Sequence, residues 1–139
     1  MPVARLEHGG ETVDIAYLDE GQGEPVLLVH GFASTKEINW VNTGWVRALT
    51  GAGFRVVAFD NRGHGASTKF YDVADYALGR MAGDAVALLD HLGIARAHAI
   101  GYSRGARICA MLAGPHGCRF RRLVLSGGGW NLIEGSGDW

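Results

Sequence analysis

The sequence has few cysteines, almost no net charge and no long hydrophobic run. Its two cysteines, Cys109 and Cys118, lack the C-x-x-C spacing of a zinc or redox site, and no cluster of His, Asp or Cys has metal-ligand spacing. The 13 basic and 14 acidic residues leave a net charge of −1, so we expect no nucleic-acid partner and no polybasic contact with a membrane. No apolar stretch approaches the roughly 20 residues of a membrane-spanning helix. We therefore expect no metal, no cofactor and no membrane partner.

The amino terminus lacks the apolar stretch of a signal peptide, because Pro2, Arg5 and Glu7 interrupt it. We therefore expect a cytoplasmic protein. Both cysteines are expected to be structural thiols, and the apolar neighbours of Cys109 predict that it is buried.

Glycine, in contrast, is abundant, with 22 of the 139 residues and no regular period that would indicate collagen. The glycines cluster at the ends of apolar runs, which indicates many tight turns. A composition of 47% apolar and 19% charged residues is typical of a globular protein. The length suits one domain and is too short for two.

Strand-like and helix-like segments alternate along the chain. The alternating pattern of residues 12–18 predicts a half-buried strand. Short apolar runs, typical of strands buried on both faces, occupy residues 25–29, 54–59, 97–101 and 122–126. Helical spacing occupies residues 40–52, 75–92 and 106–113. This order predicts an α/β fold, a mostly parallel sheet with helices on both faces, whose functional groups gather at the carboxyl ends of the strands.

The first candidate site at such a strand end is the segment G-Y-S-R-G, residues 101–105, called the serine turn below. A serine on a sharp strand-to-helix turn needs small neighbours, which Gly101 and Gly105 provide two residues before and after Ser103. Ser103 would also stand at the amino end of a helix, where free N–H groups stabilise negative charge. We expect Ser103 to be a nucleophile.

The second candidate is H-G-F-A, residues 30–33, called the His-Gly loop below. Acyl transfer passes through a tetrahedral oxyanion, which two preorganised backbone donors stabilise. Gly31 allows a close approach, and the backbone N–H groups of Phe32 and Arg104 are the expected donors. We expect His30 to orient the loop through hydrogen bonds and not to act as the general base.

The third segment is D-N-R-G-H-G-A-S, residues 60–67, called the DNRG loop below. We expect a structural loop in which Asp60 pairs with Arg62 while Gly63 and Gly65 take positive φ angles. A phosphate-binding loop is excluded because the G-x-x-x-x-G-K-[ST] spacing is absent. A dinucleotide site is excluded because no G-x-G-x-x-G follows a strand and opens a helix.

These three segments, in this order, resemble the α/β-hydrolase family, specifically its esterase-like serine hydrolases, over about residues 12–130. The matching positions are Gly101, Ser103 and Gly105 in the serine turn, His30, Gly31 and Phe32 in the His-Gly loop, and Asp60, Arg62, Gly63, Gly65 and Ser67 in the DNRG loop. The resemblance implies hydrolysis of small carboxylic esters by a serine nucleophile. Serine at this position argues against the dehalogenase and epoxide-hydrolase branches, which carry Asp.

The triad acid and histidine that the resemblance implies are not identified. In the family they follow the serine, on loops after later strands. The only histidine after Ser103 is His116, which a helix of about 15 Å should place near the opposite edge of the sheet. Glu134 and Asp138 are candidates for an acid alone. We expect residues 1–139 to form one incomplete core domain, truncated after about the sixth strand, with residues 127–139 as a glycine-rich tail where the family's cap would begin.

A truncated sheet would leave strand 122–126 as an unprotected edge. We therefore expect self-association, or a complementing chain that supplies the missing strands, acid and histidine. Two classes of function remain open: a serine hydrolase, or an inactive remnant that serves as an interaction module.

Substrate specificity is less accessible. Candidate pocket walls, each of which is equally suited to the core, are Phe32, Trp40, Tyr102 and Trp130. The Arg104 side chain is expected to pair with a surface carboxylate, with clamping of an anionic substrate as the alternative.

Overall fold

The computed structural model describes residues 2–126, and these form one six-stranded sheet with helices on both faces. The strands are β1 (Val3–His8), β2 (Glu11–Glu20), β3 (Glu24–Val29), β4 (Phe54–Phe59), β5 (Ala97–Tyr102) and β6 (Phe120–Ser126). The α-helices are α1 (Trp45–Gly51), α2 (Leu78–His91) and α3 (Arg104–Ala113). Short helical turns occupy Glu37–Val41, Val73–Tyr76 and Gly117–Arg119.

The sheet is mostly parallel, in the order β1-β2-β4-β3-β5-β6. Strands β4, β3, β5 and β6 run parallel to one another, whereas β2 is antiparallel to both β1 and β4. Val29 pairs with Phe59 on one side and with Gly101 on the other, so β3, β4 and β5 end at the same level. The loops that follow these three strands therefore start side by side. The predicted α/β fold class is confirmed.

Alternation along the central strands divides the core between the two faces. Leu27 and Val29 of β3 point into a large cluster beneath α2 and α3, whereas Val26 and Leu28 point into a smaller cluster beneath α1. Successive side chains of a strand face opposite sides of the sheet, so a strand covered on both faces needs an unbroken apolar run. This is the reason for the P-V-L-L-V pattern.

Helix α2 buries the stripe that its periodicity predicted. Met81, Ala85, Leu88 and Leu89 recur at helical spacing and are all buried against the sheet. Cys109 on α3 is likewise buried, and burial raises the pKa of its thiol to about 12. Such a thiol is inert, which agrees with the predicted structural role.

The predicted helix over residues 40–52 was wrong in its first half. Residues Glu37–Val41 form a separate π-helical turn, and α1 begins only at Trp45. Gly44 between them has φ 89°, a left-handed conformation that an α-helix cannot contain. The predicted helix over 75–92 likewise begins later, at Leu78, and the helix predicted from Ala106 begins two residues earlier, at Arg104.

Strand β1 was not assigned from the sequence. Its residues Ala4 and Leu6 are buried and alternate with exposed ones, which is the period of a half-buried strand. The strand pairs along its whole length with β2, His8 opposite Glu11. Within the described residues, β1 and β6 are the two edges of the sheet.

A buried ion-pair network joins α2 to the hairpin of β1 and β2. The Arg62 guanidinium is fully buried and donates to both carboxylate oxygens of Asp84, at 2.7 Å each. Its Nη1 lies 2.7 Å from Oε1 of Glu11, and Nε2 of His8 lies 2.5 Å from Oδ1 of Asp84. The predicted pairing of Arg62 with Asp60 was therefore wrong, because two other carboxylates surround the guanidinium.

In the described part of the chain, no helix has the length and apolar character needed to cross a membrane.

We expect Asp84→Ala to lower the free energy of unfolding by about 3 kcal/mol, because it removes the bidentate partner of a buried guanidinium. The matched control is Asp90→Ala on the same helix. Asp90 is 63% exposed and pairs with Arg119 at 2.8 Å, so its loss should cost less than about 1 kcal/mol. Urea unfolding of both variants measures the difference. Equal losses of unfolding free energy would show that the buried network stabilises the fold no more than an exposed ion pair does.

Candidate active site

The three segments singled out in the sequence meet at the carboxyl edge of the parallel strands. The His-Gly loop follows β3, the DNRG loop follows β4, and the serine turn spans the end of β5 and the start of α3. A Cβ added to Gly31 would lie 3.2 Å from Cβ of Ser103 and 3.2 Å from the carbonyl oxygen of Tyr102. The His-Gly loop therefore lies directly against the serine turn.

Ser103 occupies a strained backbone conformation between β5 and α3. Its φ of 57° and ψ of −117° lie in a region that non-glycine residues rarely adopt. Such strain, held by the surrounding fold, is typical of a serine presented on a strand-to-helix turn. The Ser103 N–H donates to the carbonyl oxygen of Ser126 at 2.8 Å, which ties the turn to the end of β6.

The glycines of the serine turn are required by close contacts. A Cβ on Gly105 would lie 2.1 Å from the carbonyl oxygen of Val29, and one on Gly101 would lie 2.4 Å from that of Gly105. Neither contact is possible for a real side chain, and in both cases the obstacle is backbone. The first turn of α3 thus rests on the end of β3, which brings Ser103 to the His-Gly loop.

His30 holds the His-Gly loop by hydrogen bonds at both ring nitrogens. The backbone N–H of Asn61 donates to its Nε2 at 2.9 Å, so Nε2 is an acceptor and the ring proton is assigned to Nδ1. Nδ1 in turn lies 2.7 Å from the carbonyl oxygen of Gly31. Because C=O and N–H point in opposite directions across a trans peptide, this bond turns the N–H of Phe32 away from His30.

The imidazole of His30 is neutral. Burial is the largest cause and lowers its pKa to about 4, although the hydrogen bond to Gly31 and the charge of Asp60 act in the opposite direction. A neutral ring keeps the acceptor that Asn61 requires. The structure thus places His30 in an orienting arrangement.

Asp60 is the centre of the DNRG loop, and its partner is Lys36. Nζ of Lys36 donates to Oδ2 of Asp60 at 2.9 Å, and both side chains are 1% exposed. Burial pushes the pKa of the Asp60 carboxyl upward, but hydrogen bonds from Lys36 and Ala66 outweigh burial and hold this pKa below its usual range. Gly63 and Gly65 have φ angles of 79° and 50°, as predicted. A Cβ on Gly65 would lie 2.3 Å from Oδ2 of Asp60, so the loop folds tightly around the carboxylate.

A cavity of about 410 Å³ lies beside the serine turn. It is lined by Phe32, Ala33, Gly63, His64, Tyr76, Met81 and Arg104. The Arg104 guanidinium donates from Nη2 to the carbonyl oxygen of Tyr76 at 3.1 Å. Burial, followed by the nearby charge of Arg107, lowers the pKa of Arg104. Its predicted pairing with a surface carboxylate stays a prediction.

The candidate pocket walls separate into two groups. Phe32 is 68% exposed and lines the cavity, and Tyr102 is also exposed. Trp40 is 3% exposed and packs in the core beneath α1, so the structure assigns it to the core and not to a pocket. Trp130 lies outside the described residues.

Within residues 2–126, no histidine forms a hydrogen bond with Ser103. His64 is the nearest to the cavity, but its Nε2 accepts the N–H of Ala33 at 3.1 Å and its Nδ1 lies 3.0 Å from the carbonyl oxygen of Arg62. His116 lies beyond the end of α3. Glu134 and Asp138, the candidate acids, are outside the described part. The same part contains no group of three or more His, Cys, Asp or Glu side chains that could hold a metal.

Three polar residues of this region were missed in the sequence. Lys36 pairs with Asp60, Asn39 accepts the N–H of Gly31 at 2.8 Å through Oδ1, and Asn61 orients His30. Asn61 lies in the DNRG loop but was given no role there. Lys36 and Asn39 belong to no motif, and only their place between the His-Gly loop and α1 could have drawn attention to them.

We expect Gly105→Ala to lower the free energy of unfolding by about 3 kcal/mol or more, because the new Cβ would collide with two carbonyl oxygens of β3 and its exit. The matched control is Gly51→Ala at the end of α1. Nothing lies within 4 Å of its Cβ, and alanine favours a helix, so stability should change by less than about 1 kcal/mol. Chemical unfolding of both variants provides the comparison. A loss of unfolding free energy for Gly105→Ala as small as that for Gly51→Ala would refute the close approach of Gly105 to the carbonyl oxygen of Val29.

Burial of neutral His30 predicts a pH dependence of stability. The ring binds a proton near pH 6.5 in the unfolded chain and only near pH 4 in the folded one. The free energy of unfolding should therefore be highest above pH 6.5 and should decrease as the pH falls from 6.5 to 4. The expected slope is about 1.4 kcal/mol per pH unit. His30→Asn should be less stable at neutral pH and lack this component. If the free energy of unfolding depended on pH in the same way in the wild type and in His30→Asn, the assignment of a buried, neutral His30 would be contradicted.

Comparison with known proteins identifies the family of this chain. A family model described as the alpha/beta hydrolase fold matches residues 24–139. Epoxide hydrolase B of Mycobacterium tuberculosis is 38% identical over 103 residues, which cover 74% of this chain and 28% of that protein. Non-heme chloroperoxidase CPO-A1 of Kitasatospora aureofaciens is 35% identical over 126 residues, which cover 90% of this chain and 43% of that protein.

A solved structure with the same architecture is the enol-lactonase from Burkholderia xenovorans LB400. It superimposes with a TM-score of 0.78 and 29% identity, over 89% of this chain and 45% of that one. The chain thus spans less than half the length of each of these relatives. The family match, the sheet order and the three strand-end loops agree, and the chain belongs to the α/β-hydrolase family.

Proposed function

We propose that this chain forms the nucleophile and oxyanion half of a serine hydrolase that acts on small carboxylic esters. The observation that carries the proposal is the contact between the strained serine turn and the His-Gly loop. Gly31 lies so close to Ser103 that a Cβ on Gly31 would be 3.2 Å from Cβ of Ser103. A nucleophile and a pair of backbone donors close to one carbonyl position are the requirement for acyl transfer.

In the proposed reaction, Oγ of Ser103 attacks the ester carbonyl carbon and loses its proton to a base. The carbonyl electrons move to oxygen, and the N–H groups of Phe32 and Arg104 stabilise that oxyanion. Collapse breaks the bond to the alcohol, which leaves with the proton and yields an acyl-serine. Water then attacks the acyl group, which releases the carboxylic acid and restores the serine hydroxyl.

The identity of the nucleophile favours esters over the other substrates of the relatives. An epoxide hydrolase is among those relatives, yet this chain has serine where that branch of the family carries Asp. The structural neighbour from Burkholderia is an enol-lactonase, and a lactone is a cyclic ester. The cavity beside the serine turn has mostly apolar walls, which suit the acyl or alcohol part of a small ester.

The base and acid of the proposed enzyme come from polypeptide outside residues 2–126. Either a later part of the chain, a second copy or a complementing chain supplies them. Exposure of β6 supports association at this edge, since Val124 is 52% and Leu125 is 40% exposed. A cavity of about 630 Å³ lies against the same strand on the α1 face. Its lining combines apolar Val26, Leu49, Phe54, Ile100 and Val124 with charged Glu24, Arg96, Arg121 and Arg122. Apolar surface of this kind is normally covered by protein.

Exposure to a neutral fluorophosphonate, followed by intact-mass measurement, tests the proposal. We expect one adduct on the wild type and none on Ser103→Ala, because the probe requires an activated serine and a formed oxyanion site. Ser126→Ala, which changes an exposed hydroxyl and keeps the backbone carbonyl that binds Ser103, should label like the wild type.

The rate of labelling by the fluorophosphonate distinguishes a chain that is active alone from one that needs its triad partners from another polypeptide. Serine hydrolases that lack triad partners can retain about 10³ to 10⁴-fold catalysis over water, so slow labelling that accelerates with added complementing protein fits the proposal. Absence of any adduct on folded wild-type chain, alone and complemented, would favour the second function, a non-catalytic interaction module.

A further inference from the structure

We propose that Lys36 is a positioning residue, whose buried ion pair with Asp60 fixes the geometry of the His-Gly loop and thereby of its oxyanion donor. The functional part of this inference rests on the hydrolase function proposed above. Its structural part, the dependence of the loop on one buried cation, stands on the contacts of the described residues alone.

Lys36 is bound to one carboxylate at two points. Its backbone N–H donates to Oδ1 of Asp60 at 2.9 Å, and its Nζ reaches Oδ2 at the same distance. Both side chains are almost fully buried. A two-point contact fixes the direction of the chain at residue 36 as well as its position. The exit of the His-Gly loop is therefore anchored to the end of β4.

The same carboxylate also anchors the DNRG loop. Oδ2 of Asp60 accepts the N–H of Ala66 at 3.1 Å, and the backbone of Gly65 approaches so closely that no Cβ fits there. Asp60 thus joins two loops that follow neighbouring strands. Removal of the cation would leave a buried carboxylate with backbone donors only, a costly state that the loops can relieve by moving apart.

The effect of Lys36 reaches the oxyanion donor through a short path. Lys36 directly precedes the helical turn Glu37–Val41, and Asn39 in that turn accepts the N–H of Gly31 at 2.8 Å. The carbonyl of Gly31 is held by His30 on the other side. Both faces of Gly31 are therefore fixed, and the orientation of the next N–H, that of Phe32, follows from them.

A second connection closes the arrangement. The N–H of Ala33 donates to Nε2 of His64, which belongs to the DNRG loop. Ala33 has φ 56°, a strained value for a residue with a side chain. The surroundings must therefore hold this loop in place. Two separate contacts with the DNRG loop, at Ala33 and at Lys36, provide that constraint.

A lysine suits this position because its side chain is long and carries one compact charge. Its Nζ also lies 3.0 Å from Oε2 of Glu37, a half-exposed carboxylate, so the buried cation faces two acids. Methionine has a similar length and no charge, which makes Lys36→Met the sharpest substitution. Lys69→Met is the matched control, because Lys69 is an exposed lysine that donates to the carbonyl of Gly65 in the same region.

Amide hydrogen exchange measured by NMR on the full chain tests the inference without use of Ser103. We expect Lys36→Met to accelerate exchange of the Gly31 and Ala33 amides about tenfold more than that of Val57 in the sheet. Lys69→Met should leave all three near the wild-type rates. Equal acceleration of all amides would mean a merely structural role, and unchanged exchange at Gly31 would also overturn the proposal.

The double variant, Lys36→Met with Asp60→Asn, provides a second comparison, because it leaves no unpaired buried charge. Its Gly31 amide should exchange more slowly than in Lys36→Met and faster than in the wild type. If Lys36→Met alone does not fold, the exchange measurement is made on this double variant and compared with the wild type. Wild-type exchange at Gly31 in the double variant would overturn the proposal.

Labelling by the fluorophosphonate then tests the consequence for the reaction. Misplacement of a catalytic group by about 1 Å can cost 10²-fold, so Lys36→Met should reduce the limiting labelling rate by about that factor with little change in the concentration for half-saturation. Wild-type labelling rates in Lys36→Met would refute the positioning role and leave the hydrolase function intact. A wild type that stays unlabelled both alone and with complementing protein would refute the hydrolase function, while the exchange measurement still decides the role of Lys36.

Discussion

The candidate site depends on one constraint, the common level at which β3, β4 and β5 end. Parallel pairing puts Val29 beside both Phe59 and Gly101, so the residues that follow have to leave the sheet at the same point. Three loops share a space in which side chains hardly fit. The absence of Cβ atoms at Gly31, Gly65, Gly101 and Gly105 allows these backbones to approach one another. The glycine-rich motifs are the steric consequence of the strand register.

Crowding at this edge also buries polar groups, and each must then find a partner. Among the described residues, the buried charges are Lys36, Asp60, Arg62 and Asp84, and each faces at least one opposite charge. His30 is also buried, and burial outweighs the nearby negative charge of Asp60, lowers the pKa of the ring and keeps it neutral. The pairing of Lys36 with Asp60 thus belongs to the same set of hydrogen bonds that orients the proposed oxyanion donor.

Local pattern was sufficient for the sequence to predict the fold class, most strands and the place of the motifs. The apolar run of β3 and the stripe of α2 follow directly from periodicity. The partner of Asp60 could not be found in this way, because Lys36 is 24 positions away and a lysine is usually expected to be exposed. The division of the predicted helix over 40–52 depended on the φ of Gly44, a conformation that a glycine permits and does not require. Strand β1 was missed because six residues of alternating apolar and polar character do not identify a strand until their pairing with β2 is known.

The described residues hold only one part of the proposed chemistry. The nucleophile and both oxyanion donors lie on segments bound to one another within residues 2–126, by contacts that need no further chain. A general base does not occur in that network, since each histidine near it has both ring nitrogens engaged, as His30 and His64 show. These hydrogen bonds leave neither histidine a free ring nitrogen to accept the proton of Ser103. In the proposed enzyme, the base reaches Ser103 from outside this network, and the exposed Phe32 and Tyr102 mark the part of the sheet edge that is accessible to it.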